Sequence, residues 1–157
     1  RQLATAQLDF VQPERFNLEY TDNEGKKQRP VMIHRAVAGS LERFMAIMIE
    51  HFAGNFPLWL SPVQVAVIPV ADAHTAYASG VAEKLKATGF RIEFDDSNES
   101  MGKKIRHAKK AKLPYFIVIG DKEIKDKTVT LESRDTGEST THSVDELLTK
   151  LVAERNV

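Results

Sequence analysis

The residues of this chain that could do chemistry fall into a few groups. The densest is cationic: residues 98–112 carry Lys103, Lys104, Arg106, Lys109, Lys110 and Lys112, with His107 among them. At helical spacing such a run is either a solvated face or a surface for phosphates, whose hold would weaken as salt rises. Arg43 follows Gly39-Ser40-Leu41-Glu42. A guanidinium on the first turn of a helix offers paired donors that suit a polyphosphate, or it pairs with a nearby acid. His34 comes after an apolar stretch, where an imidazole is either a hydrogen-bonded core residue or a ligand. Thr5 and Gln7 stand two apart, so in extended backbone both point to one face.

Composition narrows what these groups can be. The chain has 157 residues, 42% hydrophobic and 28% charged, the range of a soluble globular protein of one domain, or one domain with an appendage. It has no cysteine, so neither a disulfide framework nor a thiolate metal site can form within it. His51, His74, His107 and His142 have no metal-ligand spacing with His34. The formal net charge is zero, so any nucleic-acid footprint must be local. No apolar run approaches the roughly 18 residues of a membrane span. The opening Arg1-Gln2-Leu3-Ala4 has no signal-peptide pattern and no Met, which suggests a start inside a longer protein.

The elements that must position these groups can be read along the chain. Residues 3–11 (LATAQLDFV) and Phe16 to Thr21 alternate like half-buried strands, interrupted by Pro13. Asp22-Asn23-Glu24-Gly25 signals a turn, and residues 28–33 resume an extended pattern, so a hairpin is expected. Ser40 is a candidate N-cap for a helix on which Leu41, Phe44, Met45, Met48, Ile49 and Phe52 make a stripe. That helix is expected to be largely buried and to stop at Gly54. Residues 56–62 (FPLWLSP) read as a connection between two units, 1–58 and 59–157, pinned by Trp59.

Beyond it the pattern is α/β. Residues 63–70 form an apolar run typical of a buried parallel strand, followed by a helix over 73–88. A strand at 91–94, a helix at 98–112 and a strand at 115–119 follow. In the second helix Met101, Ile105 and Ala108 form the expected buried stripe. Strands at 128–132 and 138–142 flank a turn, and a helix capped by Ser143 closes the chain. This order implies a layered α/β domain with a mixed five-stranded sheet and antiparallel strands added at one side.

Two segments carry a resemblance. Thr5-Ala6-Gln7-Leu8-Asp9-Phe10 with Pro13-Glu14-Arg15-Phe16, and Met32-Ile33-His34-Arg35-Ala36 with Gly39-Ser40-Leu41-Glu42-Arg43-Phe44, resemble threonyl-tRNA synthetases. The second segment is similar to motif 3 of class II synthetases. Residues 56–157 resemble the anticodon-binding domain of that subgroup, at Phe56 to Gln64, at Asn98-Glu99 with Gly102 to Arg106, and at Gly120-Asp121-Lys122-Glu123.

The resemblance implies an ATP-dependent ligase that attaches threonine to its tRNA, cytoplasmic and homodimeric in the longer protein, using ATP with magnesium. It implies that Arg43 contacts the ATP γ-phosphate, beside Ser40, and that Gln2, Thr5 and Gln7 line the adenylate and substrate site. His34 would be one of three zinc ligands. The other two, a Cys and a His, lie upstream in the family, so no bound zinc is expected in this chain. Asn98, Lys103, Lys104, Arg106, Glu123 and Arg134 would meet the tRNA.

Departures from the family pattern are Arg1 in place of Trp, Ser97 where an Arg is usual, and Glu132 in place of an Arg, with Arg134 two residues on. Motifs 1 and 2 are missing, so the chain is expected to be inactive alone. The rival readings are a non-catalytic tRNA-binding accessory protein and a prolyl- or histidyl-type class II fragment. A further expectation is that residues 1–55 expose apolar surface that favours self-association or disorder.

Overall fold

The computed structural model describes residues 4–155. The chain divides into two compact units, 1–51 and 52–157.

In the first unit, strand β1 (Thr5–Asp9) pairs antiparallel with β4 (Met32–Ala36). Between them runs a short helix α1 (Val11–Arg15), which alternation alone did not suggest. Its cause is local: Asp9 Oδ1 accepts the N–H groups of Val11 (2.9 Å) and Gln12 (3.0 Å), satisfying donors that the first helical turn leaves free. The helix displaces most of the strand expected over 16–21; only Tyr20–Thr21 (β2) is extended, paired with Lys27–Gln28 (β3) across the expected turn. Gly25 supplies the φ of +78° that this turn needs.

Helix α2 (Leu41–Phe52) forms where the stripe predicted it, but contains no buried residue. Leu41, Met45 and Ile49 recur every four residues along one face and are 65%, 49% and 51% exposed. The expectation of a largely buried helix is therefore corrected: the apolar spacing is real, but among the described residues nothing covers that face.

The second unit is a sheet with helices on both faces. Strand order is β6 (Ile92–Phe94), β5 (Val65–Pro69), β7 (Tyr115–Ile119), β8 (Thr128–Ser133), β9 (Ser139–Ser143). The first three are parallel and the last two antiparallel, giving the expected mixed five-stranded sheet. Strand β5 is apolar throughout because both its faces are covered. Val65 and Val67 meet Ala78, Val81 and Leu85 of α3 (Thr75–Ala87) and Leu147 and Leu151 of α6 (Val144–Arg155). Ala66 and Ile68 point the other way, to Ala108 of α4 (Met101–Lys110) and Leu113. Each buried Leu or Ile of this core contributes about 1.5–3 kcal/mol relative to exposure.

The last helix begins with a reciprocal cap. Ser143 N–H donates to Glu146 Oε2 (2.9 Å) and Glu146 N–H donates to Ser143 Oγ (3.3 Å). The entry to this unit is anchored by Leu58, 4% exposed, and not by Trp59, which is 54% exposed. Buried Gln64 makes the anchor specific: its Nε2 donates to Leu58 O (2.7 Å) and its Oε1 accepts from Arg91 N–H (3.0 Å).

A further short helix, α5 (Asp121–Asp126), follows β7 and was not expected from the sequence.

Candidate nucleic-acid interface

The loops that follow the parallel strands of the second unit are tied to one another by side chains. After β5, the buried His74 accepts Ala71 N–H at Nδ1 (3.1 Å). That bond assigns the ring proton to Nε2, which donates to Asp121 Oδ1 at 2.9 Å, at the start of α5 beyond β7. After β6, Asp95 accepts from Ser97 N–H (3.1 Å) and from the Ser97 hydroxyl (2.5 Å). The carboxyl edge of a parallel sheet is where such folds place ligands.

Glu123 lies at that edge on α5. Its Oε2 accepts Gly120 N–H (2.9 Å) and its Oε1 accepts the Thr130 hydroxyl (2.7 Å). Burial works against the carboxylate, but those donors outweigh it and hold the group below the ordinary carboxylate range. Glu123 is thus fixed as an anion with lone pairs left to accept further N–H groups. Asn98 is exposed and lines a recess of about 230 Å³ between the loops after β5 and β6.

The cationic helix is less free than its composition suggests. Lys103 pairs with Glu99 (2.5 Å) and Lys109 with Glu132 on β8 (2.8 Å). His107 Nδ1 stands 3.5 Å from Glu93. Lys104 is only 6% exposed and donates to Asp95 O at 2.9 Å. The expected buried stripe of Met101, Ile105 and Ala108 is corrected accordingly: Met101 is 41% exposed and Lys104 lies inside beside Ala108. Arg106 and Lys110 are exposed and, among the described residues, have no ion-pair partner.

Arg134 lies just beyond β8, not within it. Its guanidinium donates to Asp135 (2.7 Å), Phe56 O (3.0 Å) and Lys112 O (2.9 Å), which makes it a brace between loops.

In the first unit the β1–β4 ladder sets Gln7 opposite His34 and Thr5 opposite Ala36. Opposed residues of an antiparallel pair share a face, so Thr5, Gln7, Asp9 and His34 form one polar surface. His34 Nε2 and Asp9 Oδ2 are 2.9 Å apart. The Gln12 N–H, then His34, holds the Asp9 carboxyl below its ordinary range.

Zinc finds too few donors here. No group of three or more His, Cys, Asp or Glu side chains converges among the described residues, and His34 already has Asp9 as its partner. Gln2 lies outside the described residues. On α2, Ser40 donates to Glu42 (2.6 Å) and accepts weakly from Arg43 N–H (3.4 Å). The carboxylate of Glu42 is thereby occupied, and the exposed Arg43 guanidinium has no ion-pair partner among the described residues.

A family model described as an anticodon binding domain matches residues 64–154. The chain belongs to the anticodon-binding domain family. A second model, described as the tRNA synthetase class II core domain (G, H, P, S and T), matches residues 1–52.

The threonine–tRNA ligase of Clostridium tetani is 51% identical over 150 residues, covering 96% of this chain and 24% of that protein. That of Caldanaerobacter subterraneus subsp. tengcongensis is 48% identical over 153 residues, covering 98% and 24%. Among solved structures, the RNA binding domain of threonyl-tRNA synthetase from Cryptosporidium parvum Iowa II matches with TM-score 0.90 and 41% identity. That match covers 98% of this chain and 39% of the other.

The chain spans about a quarter of the length of the curated relatives it matches. The resemblance to threonyl-tRNA synthetases read from the motifs therefore holds along nearly the whole chain, and this anticodon-binding domain has ligases as its relatives.

Sequence reasoning missed His74, Asp95 and Asp9 as organisers of these sites. Asp9 carried a signal, an acid just before a Pro-containing turn of helix. The Asp121 partner of His74 lies across loops and leaves no local signature.

Proposed function

We propose that this chain is part of a threonine–tRNA ligase and that residues 59–157 bind the anticodon stem-loop of a threonine tRNA. The observation that carries the reading is the built carboxyl edge of the five-stranded sheet. There, Glu123 is held ionised by Gly120 and Thr130, beside loops joined through His74 and Asp121. Splayed bases of a single-stranded loop need fixed polar readers, and Glu123 and Asn98 are such groups. Arg106 and Lys110, unpaired among the described residues, serve the backbone phosphates, with Lys103 available at the cost of its pair with Glu99. Buried Lys104 and braced Arg134 are not phosphate contacts in this reading.

The first unit contributes to the ATP and threonine site of the longer, homodimeric, cytoplasmic enzyme. ATP, bound with magnesium, supplies the chemistry of carboxyl activation there. Arg43 offers its free guanidinium to the terminal phosphate, next to Ser40, and Thr5, Gln7 and Gln2 line the substrate side. His34 joins a zinc site only when ligands from the rest of that protein are present. Activation depends on several groups orienting both substrates, so this chain alone is inactive. Relative similarity to threonine-specific enzymes over 96% of the chain favours this over a prolyl- or histidyl-type fragment. The motif 3 residues favour it over an accessory protein.

Filter binding of threonine, proline and histidine tRNA transcripts tests the reading. Preference for the threonine transcript by about tenfold or more supports it; equal binding of all overturns it. Threonine-dependent ATP–pyrophosphate exchange by the purified chain would overturn the claim that it is inactive alone.

A further inference from the structure

His74 is buried, 5% exposed, and both of its ring nitrogens are used. Nδ1 accepts Ala71 N–H at 3.1 Å, while the His74 backbone N–H donates to Ala71 O at 2.9 Å. This reciprocal pair closes the loop after β5 on itself. It also leaves the ring proton on Nε2, which donates to Asp121 Oδ1 at 2.9 Å, 47 positions away. Asp121 is a different kind of partner, because its side chain is fully exposed. Removing it leaves no cavity, and water can take the place of its oxygen. The bond therefore adds little to stability, but it is directional and sets where the two segments sit.

Each of those segments walls or carries a proposed reader. On one side, Ala71, Asp72 and Thr75 line the recess of about 230 Å³ that also holds Ser97 and Asn98. On the other, Asp121 is the first residue of α5, the helix that bears Glu123. Helix α5 has six residues, too few to be stable by itself. Ile124 packs against the core, but apolar contact is non-directional and does not fix the rotation of the helix. The bonds from Gly120 and Thr130 are made by the Glu123 side chain itself and orient that side chain. The bond from His74 places the helix beneath it.

Resting on the anticodon-binding reading above, we propose that His74 is a positioning residue for base discrimination. By donating from Nε2 to Asp121 it holds the Asn98 recess and the Glu123 helix in one frame, so that both readers meet one RNA loop together. His74 itself touches no RNA, being enclosed by the protein. Polar groups that read a ligand must be held to within about 0.5 Å, and side chains outside the contact supply that hold. Nδ1 serves the same end. By accepting from Ala71 it excludes the tautomer that would turn a bare Nε2 lone pair toward the Asp121 carboxylate.

The test uses substitutions that keep one bond and lose the other. A Gln side chain reaches as far as Nε2 and can donate to Asp121; an Asn side chain reaches only as far as Nδ1. Full chains carrying His74→Gln, His74→Asn, Asp121→Asn or Asp121→Ala are titrated with a threonine-anticodon hairpin and with one whose anticodon bases are permuted. The readout is the ratio of the two affinities, in which changes of protein charge cancel. H74Q and D121N are expected to keep the ratio of the natural protein, since donor and acceptor remain. H74N and D121A are expected to lower it by about fivefold, the worth of one hydrogen bond. The double variant H74N/D121A should lose no more than either single one. The urea midpoint of D121A and the salt slope of H74N should match those of the natural protein.

The proposal is overturned if D121A discriminates as the natural protein does. It is also overturned if H74N keeps the ratio while H74Q loses it, the mark of a ring that only closes its own loop. A double variant that loses the product of the two single effects would sink it as well, since Asp121 would then touch RNA directly. If the His74 variants do not fold, the comparison of D121A with D121N decides, because that side chain fills no space in the fold. Should the natural protein bind both hairpins equally, the anticodon-binding reading itself fails, a result distinct from unaltered discrimination by D121A.

Discussion

The carboxylate of Glu132 on β8 lies 2.8 Å from the ammonium of Lys109 on α4, and that ammonium is also 5.6 Å from the centre of the Phe116 ring. The pair neutralises one positive charge on the cationic face of α4, the face proposed to meet phosphates. Glu132→Ala should release Lys109 and strengthen binding of a threonine-anticodon hairpin roughly threefold at low salt, with a salt slope steeper by about one. Stability should change by less than about 1 kcal/mol, since Lys109 is well exposed. Fluorescence titration of a labelled hairpin at several salt concentrations measures both; weaker binding by E132A would show that Glu132 itself accepts from a base.

Glu123 makes folding depend on pH in the acid range. Its folded-state pKa lies below the ordinary value of 4.5 because Thr130 and Gly120 donate to the ionised form and outweigh burial. The sign follows from linkage: the stabilisation is complete above about pH 4.5 and is lost as pH falls through the lower folded value. Glu146, held low by the backbone and side chain of Ser143, acts in the same direction. Thermal melts from about pH 6 to about pH 3 should show the midpoint falling, and less steeply in Glu123→Gln. An unchanged slope in E123Q would remove Glu123 from this account.

The cap of α6 and the core beneath it can be separated. Ser143→Ala removes an acceptor from a reciprocal cap and should cost about 1 kcal/mol. Leu147→Ala empties a fully buried site against β5 and β8 and should cost about 2–5 kcal/mol. Urea unfolding with a constant slope distinguishes the two; equal losses would mean that α6 is not packed as described.

The apolar face of α2 should make the chain associate. Leu41, Met45 and Ile49 present one continuous exposed stripe, and Leu8 and Ile33 of the β1–β4 pair are also exposed. Sedimentation velocity is expected to show concentration-dependent oligomers, which Met45→Lys with Ile49→Lys reduces. A monomer at all concentrations would contradict this.

What could be read without the structure follows from how local its causes are. The five strands of the second unit were legible because β5 and β7 are apolar on both faces and because a Thr-Gly turn separates β8 from β9. The closing helix was legible from Ser143 and its period of apolar residues. Helix α1 was not, since its cap is the side chain of Asp9 acting two and three residues ahead, inside an alternating pattern.

The inward turn of Lys104 was not legible either. Its partner is a backbone carbonyl of Asp95, which periodicity cannot see. Helix α2 shows the opposite failure: its spacing announced a buried face, but spacing says nothing of what covers it. The same holds for the candidate site. Asn98 and Glu123 came from motif resemblance, whereas the loop tie from His74 to Asp121 spans 47 positions and has no sequence signature.

The central claim, that the carboxyl edge of the second unit reads an anticodon, is tested most directly by one affinity ratio. The full chain is titrated with a hairpin carrying the threonine anticodon loop and with a hairpin of the same stem whose three anticodon bases are permuted. Because phosphates and stem are identical, cation contacts contribute equally to both. The account predicts that permutation weakens binding by tenfold or more at physiological salt. Equal affinity for the two hairpins would contradict it.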